Sequence, residues 1–162
     1  MPRRVVLVSA CLLGLNTKYD GGNNYRERVA RLLEREDLVV IPFCPEQLGG
    51  LPTPREPADL TADGSEVLGG KGRVITWGGR DVTHSFVRGA EESLKLARML
   101  GARAAVLKAR SPSCGVGGVY RAGDRRLMPW NGVTAAILIR EGIRVMSDEE
   151  FSEDALERAL GL

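Results

Sequence analysis

The sequence predicts an α/β fold: a single domain over residues 1–162, built on an open parallel sheet of about four strands with helices on both faces and a small inserted β-hairpin. Three observations carry that prediction. Val5–Ser9 is a short apolar run with the character of a strand buried on both faces, Leu38–Phe43 and Ala104–Lys108 are further apolar runs, and Arg144–Met146 reads as a fourth strand. Segments with helical periodicity lie between and after them. Parallel neighbours need long crossovers, so this alternation means a parallel sheet of the Rossmann or flavodoxin kind. No internal repeat, low-complexity tract or linker divides the chain.

Taken in order, Val5–Ser9 is the first strand, and Cys11 follows it before a turn-rich stretch ending in Asp20-Gly21-Gly22-Asn23. Tyr25–Glu36 is the first helix, with Val29, Leu32 and Leu33 on its apolar face. Leu38–Phe43 is the second strand, followed by Cys44. Residues 42–57 hold five of the eight prolines, whose fixed φ predicts a stiff, irregular loop. Glu66–Leu68 and Arg73–Thr76 flank Gly69-Gly70-Lys71-Gly72 and form the predicted hairpin. Asp81 caps a long helix reaching about Leu100, with Val82, Phe86, Ala90, Leu94 and Ala97 along one stripe, and Gly101 ends it. Ala104–Lys108 is the third strand, and Ser111-Pro112-Ser113-Cys114-Gly115 lies beyond it. A helix at about Val133–Arg140 stops at Gly142, Arg144–Met146 is the fourth strand, and Ser147 with Glu150 forms a capping box for the last helix.

Composition limits the function. Hydrophobic residues make up 43% and charged ones 27%, too apolar for a disordered chain. No apolar run approaches the ~18 residues of a membrane span. The net charge of +2 gives no ground for nucleic-acid binding. Arg3 and Arg4 before Val5–Ala10 imitate an export signal, but the apolar core is shorter than the roughly 7–15 residues such signals use, and its valines favour a strand. Of 23 basic residues only four are lysine, a bias that genome composition or heat adaptation explains without a phosphate ligand. His84 is the one histidine, which excludes a His-rich metal site. Three cysteines, an odd count in a chain long enough to bury a core, argue against a disulfide framework and for a cytoplasmic setting.

Each cysteine stands beyond the carboxyl end of a predicted strand, and in an open parallel sheet those ends share the edge where ligands bind. Cys11, Cys44 and Cys114, separated by 33 and 70 residues, are therefore expected to converge. Structural zinc normally takes four ligands with closely spaced pairs, and neither condition holds. A 4Fe–4S cluster normally takes four cysteines; with three, one iron keeps an open position that can act as a Lewis acid, and a sulfur-bearing substrate is a natural guest. A phosphatase loop would need an arginine six residues after its cysteine. Thr17 stands there after Cys11, and Arg121 is one residue too far from Cys114.

With these residues in view the chain resembles a known family. Ser9-Ala10-Cys11-Leu12-Leu13-Gly14, Tyr19-Asp20-Gly21-Gly22, the run from Cys44-Pro45-Glu46 to Thr53-Pro54-Arg55, and Ser111-Pro112-Ser113-Cys114-Gly115 are similar to the short bacterial proteins typified by thiouracil desulfidase, long filed as a domain of unknown function. Gly132-Val133-Thr134-Ala135-Ala136 also fits, so the resemblance covers nearly the whole chain. It implies an oxygen-sensitive 4Fe–4S cluster held by Cys11, Cys44 and Cys114, whose open iron takes sulfur from a thiolated pyrimidine while water replaces it and sulfide leaves. It implies catalytic roles for Glu46, which would activate water or shuttle a proton, and for Ser111. Ser113 and Asp20 would contact substrate, although an Asx-turn explains Asp20 equally. Lys108 or Arg55 would meet a phosphate if the substrate were a nucleotide. The sequence departs from the family near Thr17 and Lys18, where many relatives have a further cysteine and an arginine.

Two other functions compete with the desulfidase. A sulfur-transfer enzyme would carry a persulfide on Cys11 or Cys114. A metal-containing RNA-binding module would need aromatics interleaved with basic residues, and aromatics are only 5% of the chain. The partner expected is a small thiopyrimidine, with no membrane and no nucleic acid; oligomeric state is not legible.

Overall fold

The computed structural model describes residues 2–162. Strand β1 (Arg4–Ser9) runs into a single 3₁₀ turn, Ala10–Leu13, that Gly14 ends at φ +93°. Helix α1 (Glu27–Ala30) tightens into a second 3₁₀ turn, Arg31–Glu34, and leads to β2 (Leu38–Phe43). Next come the short helix α2 (Pro45–Leu48), β3 (Ala58–Leu60), α3 (Gly64–Leu68) and β4 (Val74–Thr76). The long helix α4 (Thr83–Leu100) precedes β5 (Ala104–Leu107), a two-stranded ribbon of β6 (Val119–Tyr120) and β7 (Leu127–Met128), then α5 (Val133–Arg140), β8 (Arg144–Ser147) and α6 (Glu153–Leu160).

The main sheet has the order β2-β1-β5-β8 and is parallel throughout, as the apolar runs predict. The chain passes from β1 to one side at β2 and returns to the other at β5, which opens a crevice at the carboxyl ends of β1 and β5. Alternation along the strands sorts side chains into two cores. Leu7, Ala105 and Leu107 pack with Phe86, Leu94 and Ile137 of α4 and α5. Val6, Val8, Ala104 and Val106 pack with Val29, Leu32, Leu156 and Leu160 from the opposite helices. No described helix is long and apolar enough to cross a membrane.

The structure corrects four details of the sequence reading. Glu66–Leu68 lies in α3, and the antiparallel partner of Val74–Thr76 is Ala58–Leu60. Close packing explains this: a Cβ on Gly64 would stand 2.5 Å from the Gly132 carbonyl oxygen, and Asp63 just before it accepts the Asn131 N–H at 2.7 Å. The proline-rich segment contains a helical turn, because Pro45 occupies the first helical position, where its missing N–H costs nothing. Leu33 is exposed, since three residues per 3₁₀ turn place Leu32 above Val29 and rotate Leu33 outward. The last helix is capped by Ser152, whose Oγ accepts the Ala155 N–H at 3.0 Å, while Ser147 Oγ accepts the Glu150 N–H in a separate turn.

Candidate active site

Sequence order and strand ends deliver the three thiols. Cys11 sits in the 3₁₀ turn after β1, and Cys44 is the extended residue between β2 and α2. Cys114 is held in a turn in which Ser111 Oγ accepts the N–H groups of Ser113 and Cys114 at 3.2 and 3.0 Å. The first N–H groups of α5 take the loop carbonyls: Val133 donates to Pro112, and Thr134 and Ala135 donate to Ser113. These donors would otherwise be orphaned at the helix start, so α5 fixes the loop while satisfying itself.

All three cysteines line one cavity of about 340 Å³ together with Ser9, Glu46, Lys108, Ser111 and Ser113. None is in a disulfide. Ser9, at the end of β1, donates to Cys114 Sγ at 3.3 Å and accepts the Lys108 N–H at 3.0 Å. Burial pushes the Cys114 thiol up to about 12, and the other two thiols add to the rise. Burial also raises Cys11 and Cys44; a side-chain hydrogen bond from Asn24 opposes it at Cys11, and the Gln47 N–H and the Arg55 charge oppose it at Cys44.

Glu46, at the start of α2, is 14% exposed on its side chain and divides its oxygens. Oε1 accepts from Arg55 Nε at 2.8 Å, and Oε2 accepts from Ser113 Oγ at 2.9 Å. Ser111 Oγ lies 3.1 Å from Ser113 Oγ, so carboxylate and both hydroxyls form one chain of hydrogen bonds whose middle member, Ser113 Oγ, lies 3.7 Å from Cys114 Sγ.

The structure brings Cys11, Cys44, Cys114, Glu46, Ser111 and Ser113 together and leaves Asp20 out. Asp20 is exposed, accepts the Gly22 N–H at 2.8 Å in an Asx-turn, and does not line the cavity. His84 is exposed on α4. Lys108 lines the cavity with its Nζ on the Ala109 carbonyl at 2.9 Å, and burial lowers its pKa. Sequence reasoning missed the outer wall: Arg125 is stacked between the rings of Trp77 and Tyr120, 4.6 Å from each centroid, and buried Asp59 accepts from Trp77 Nε1 and Arg125 Nε. It also missed Asp148 beyond β8, whose buried carboxylate accepts from the Ala109 N–H at 2.7 Å and from Arg26 Nε at 3.1 Å.

The donor set fits an iron–sulfur cluster. Three thiols from separate strand ends surround one cavity, no histidine is among its lining residues, and the neighbouring carboxylate is already engaged by Arg55 and Ser113. Among the described residues no group of three His, Cys, Asp or Glu is spaced to share a single ion. Sulfur-only donors arranged around a volume suit a multi-iron centre, in which different irons take different cysteines.

Comparison with known proteins agrees with this chemistry. The sequence profile of 2-thiouracil desulfurase matches residues 6–150. The uncharacterized protein YbbK of Bacillus subtilis (strain 168) is 38% identical over 151 residues, spanning 92% of this chain and 99% of that protein. The solved structure of a 4Fe–4S-dependent thiouracil desulfidase, TudS, is similar with a TM-score of 0.82 and 40% identity, covering 98% of this chain and 99% of that one.

Proposed function

The chain belongs to the 2-thiouracil desulfurase family, and from that premise we propose that it is an iron–sulfur-dependent desulfidase, replacing the sulfur of a thiolated pyrimidine by oxygen and releasing sulfide. The observation that carries the reading is the convergence of three free thiols with the Glu46–Ser113–Ser111 chain on one cavity. Cys11, Cys44 and Cys114 would hold a 4Fe–4S cluster. Bound by only three protein ligands, such a cluster would supply a Lewis acid for the thiocarbonyl sulfur.

The remaining work falls to the protein. Replacing C=S by C=O consumes one water and yields hydrogen sulfide, with no net oxidation or reduction, so protons must move from water to sulfur. Glu46 is placed to take the first: its Oε2 is within hydrogen-bond reach of the Ser113 hydroxyl and at the cavity wall. The Ser113 and Ser111 hydroxyls can pass a proton and orient the pyrimidine edge, since each both donates and accepts. Lys108 contributes positive charge to the same cavity. Phe43, Pro45 and Ala58 give the cavity an apolar wall against which a pyrimidine ring would pack. Free thiols and an oxygen-sensitive cofactor suit a reducing cytoplasm.

The test is anaerobic reconstitution followed by sulfide release from 2-thiouracil and 4-thiouracil. Loaded protein should release sulfide, and Glu46→Gln should keep its cluster while kcat falls by roughly 10²–10⁴-fold. Loaded wild-type protein that releases no sulfide from any thiopyrimidine overturns the activity. A cluster that forms unchanged in Cys114→Ser overturns the ligand assignment.

A further inference from the structure

Arg55 lies between the loop after β1 and the Glu46 carboxylate. Its side chain is 6% exposed. Each of its five N–H groups has an acceptor in the protein: Nε serves Glu46 Oε1, Nη1 serves Thr53 Oγ1 and the Pro52 carbonyl, and Nη2 serves the Thr17 carbonyl at 2.8 Å and Cys44 Sγ at 3.8 Å. A guanidinium so engaged has no donor left for a substrate phosphate, the role that the sequence reading offered it. Its contacts instead tie the loop after β1, through the Thr17 carbonyl, to the segment that runs from the thiol after β2 into the first turn of α2.

We propose that Arg55 is the positioning residue of the desulfidation. By holding Oε1 it fixes the Glu46 carboxylate in the orientation that presents Oε2 to Ser113 and the cavity. By holding Thr17 and Cys44 it sets that carboxylate at a constant height relative to the sulfur ligand. Only a planar fork satisfies these acceptors together; a lysine ammonium is a point charge on a flexible stem and cannot span them. The inference rests on the proposed role of Glu46 and deepens it, assigning to Arg55 no contact with substrate.

A double-mutant cycle on anaerobically loaded protein tests this. Arg55→Lys and Arg55→Gln should keep iron and sulfide content and KM near wild type while kcat falls by about 10²-fold. In the Glu46→Gln background the same substitutions should change kcat by less than about twofold, because the group that Arg55 positions is already gone. A crystal structure of cluster-free Arg55→Lys should show the Glu46 carboxylate turned away from Ser113. Losses that multiply in the double variant, wild-type kcat in Arg55→Lys, or a Glu46 still seated on Ser113 each overturn the proposal. If Arg55→Gln does not fold, the charge-conserving lysine variant carries the cycle alone. Failure of the underlying reading looks different: Glu46→Gln would itself retain wild-type kcat.

Discussion

Ser9 closes the apolar strand β1, yet its hydroxyl touches both the Cys114 thiol and the chain beyond β5. It is 2% exposed and Cys114 is 4% exposed, so removing the hydroxyl leaves a buried thiol and the Lys108 N–H without their partner. Ser9→Ala should therefore destabilise cluster-free protein by about 1–2 kcal/mol, read as a lower urea midpoint with an unchanged slope. An unchanged midpoint would mean that the Lys108 N–H finds another acceptor. Nothing near Ser9 in sequence announces this role, because its partners stand 99 and 105 residues away. The cysteines were easier to place. Cys11 and Cys44 follow apolar runs directly, and strand ends in a parallel sheet have one destination. Asp20 shows the converse difficulty: an Asx-turn and a substrate contact use the same residue type, and only the fold shows that its loop turns it outward.

Helix α4 is the longest element, and both α2 and α5 lean on it. Gly49 and Gly89 permit the approach of α2: a Cβ on either would overlap a backbone carbonyl oxygen of the other helix, that of Ser85 or Pro45. The helix carrying Glu46 is thus set by backbone contact on a rigid rod, and the rod's start matters. Asp81 Oδ1 accepts the Thr83 N–H at 2.9 Å there, and the hydrogen bonds of Thr83 hold its carboxyl below the usual carboxylate range. Asp81→Ala should cost about 1 kcal/mol of stability near neutral pH. A carboxyl whose folded pKa is depressed stabilises above its unfolded value of about 4 and loses that contribution as pH falls through the folded value. Wild type and variant should accordingly begin to converge in chemical unfolding as pH falls below about 4 and meet once it has passed the folded value, and a difference that persists beyond that point would assign the effect to packing instead. The helix was legible because eighteen residues of clear period outweigh local ambiguity; its start is shifted from the expected one, since Val82 holds the cap position and Asp81 stands one residue before it. The inserted ribbon was not. Ala58–Leu60 is three residues long and follows prolines, so its pairing with Val74–Thr76 depends on tertiary context. The two-residue strands β6 and β7, which bring Tyr120 and Arg125 to the cavity, lie below any periodicity signal.

At the scale of the molecule, the proposed cluster ligands lie at the ends of neighbouring strands rather than within one loop. Cys11 and Cys44 extend β1 and β2, and Cys114 extends the chain beyond β5, so a group bound by all three would join three adjacent strands of the four-stranded sheet. In the unfolded chain those thiols are 33 and 70 residues apart, and a cluster bound by the folded state alone adds its binding free energy to folding. Anaerobic removal of the cluster with a chelator should therefore lower the thermal midpoint. The loss should also be uneven. Backbone amides at the carboxyl edge, in residues 10–24, 44–57 and 109–115, should exchange faster with deuterium. Those at the opposite edge, where Arg35 binds Asp37, Glu153 and Glu157 and so ties β2 to α6, should keep their protection. Faster exchange spread equally over both edges would show that the cluster stabilises the fold only globally. Unchanged exchange at the carboxyl edge would show that the hydrogen bonds of Ser9, Arg55, Ser111 and α5 around Cys44 and Cys114, with the Asn24 N–H on the Cys11 carbonyl, hold the three thiols in place without it, leaving the site fully formed before the cluster arrives.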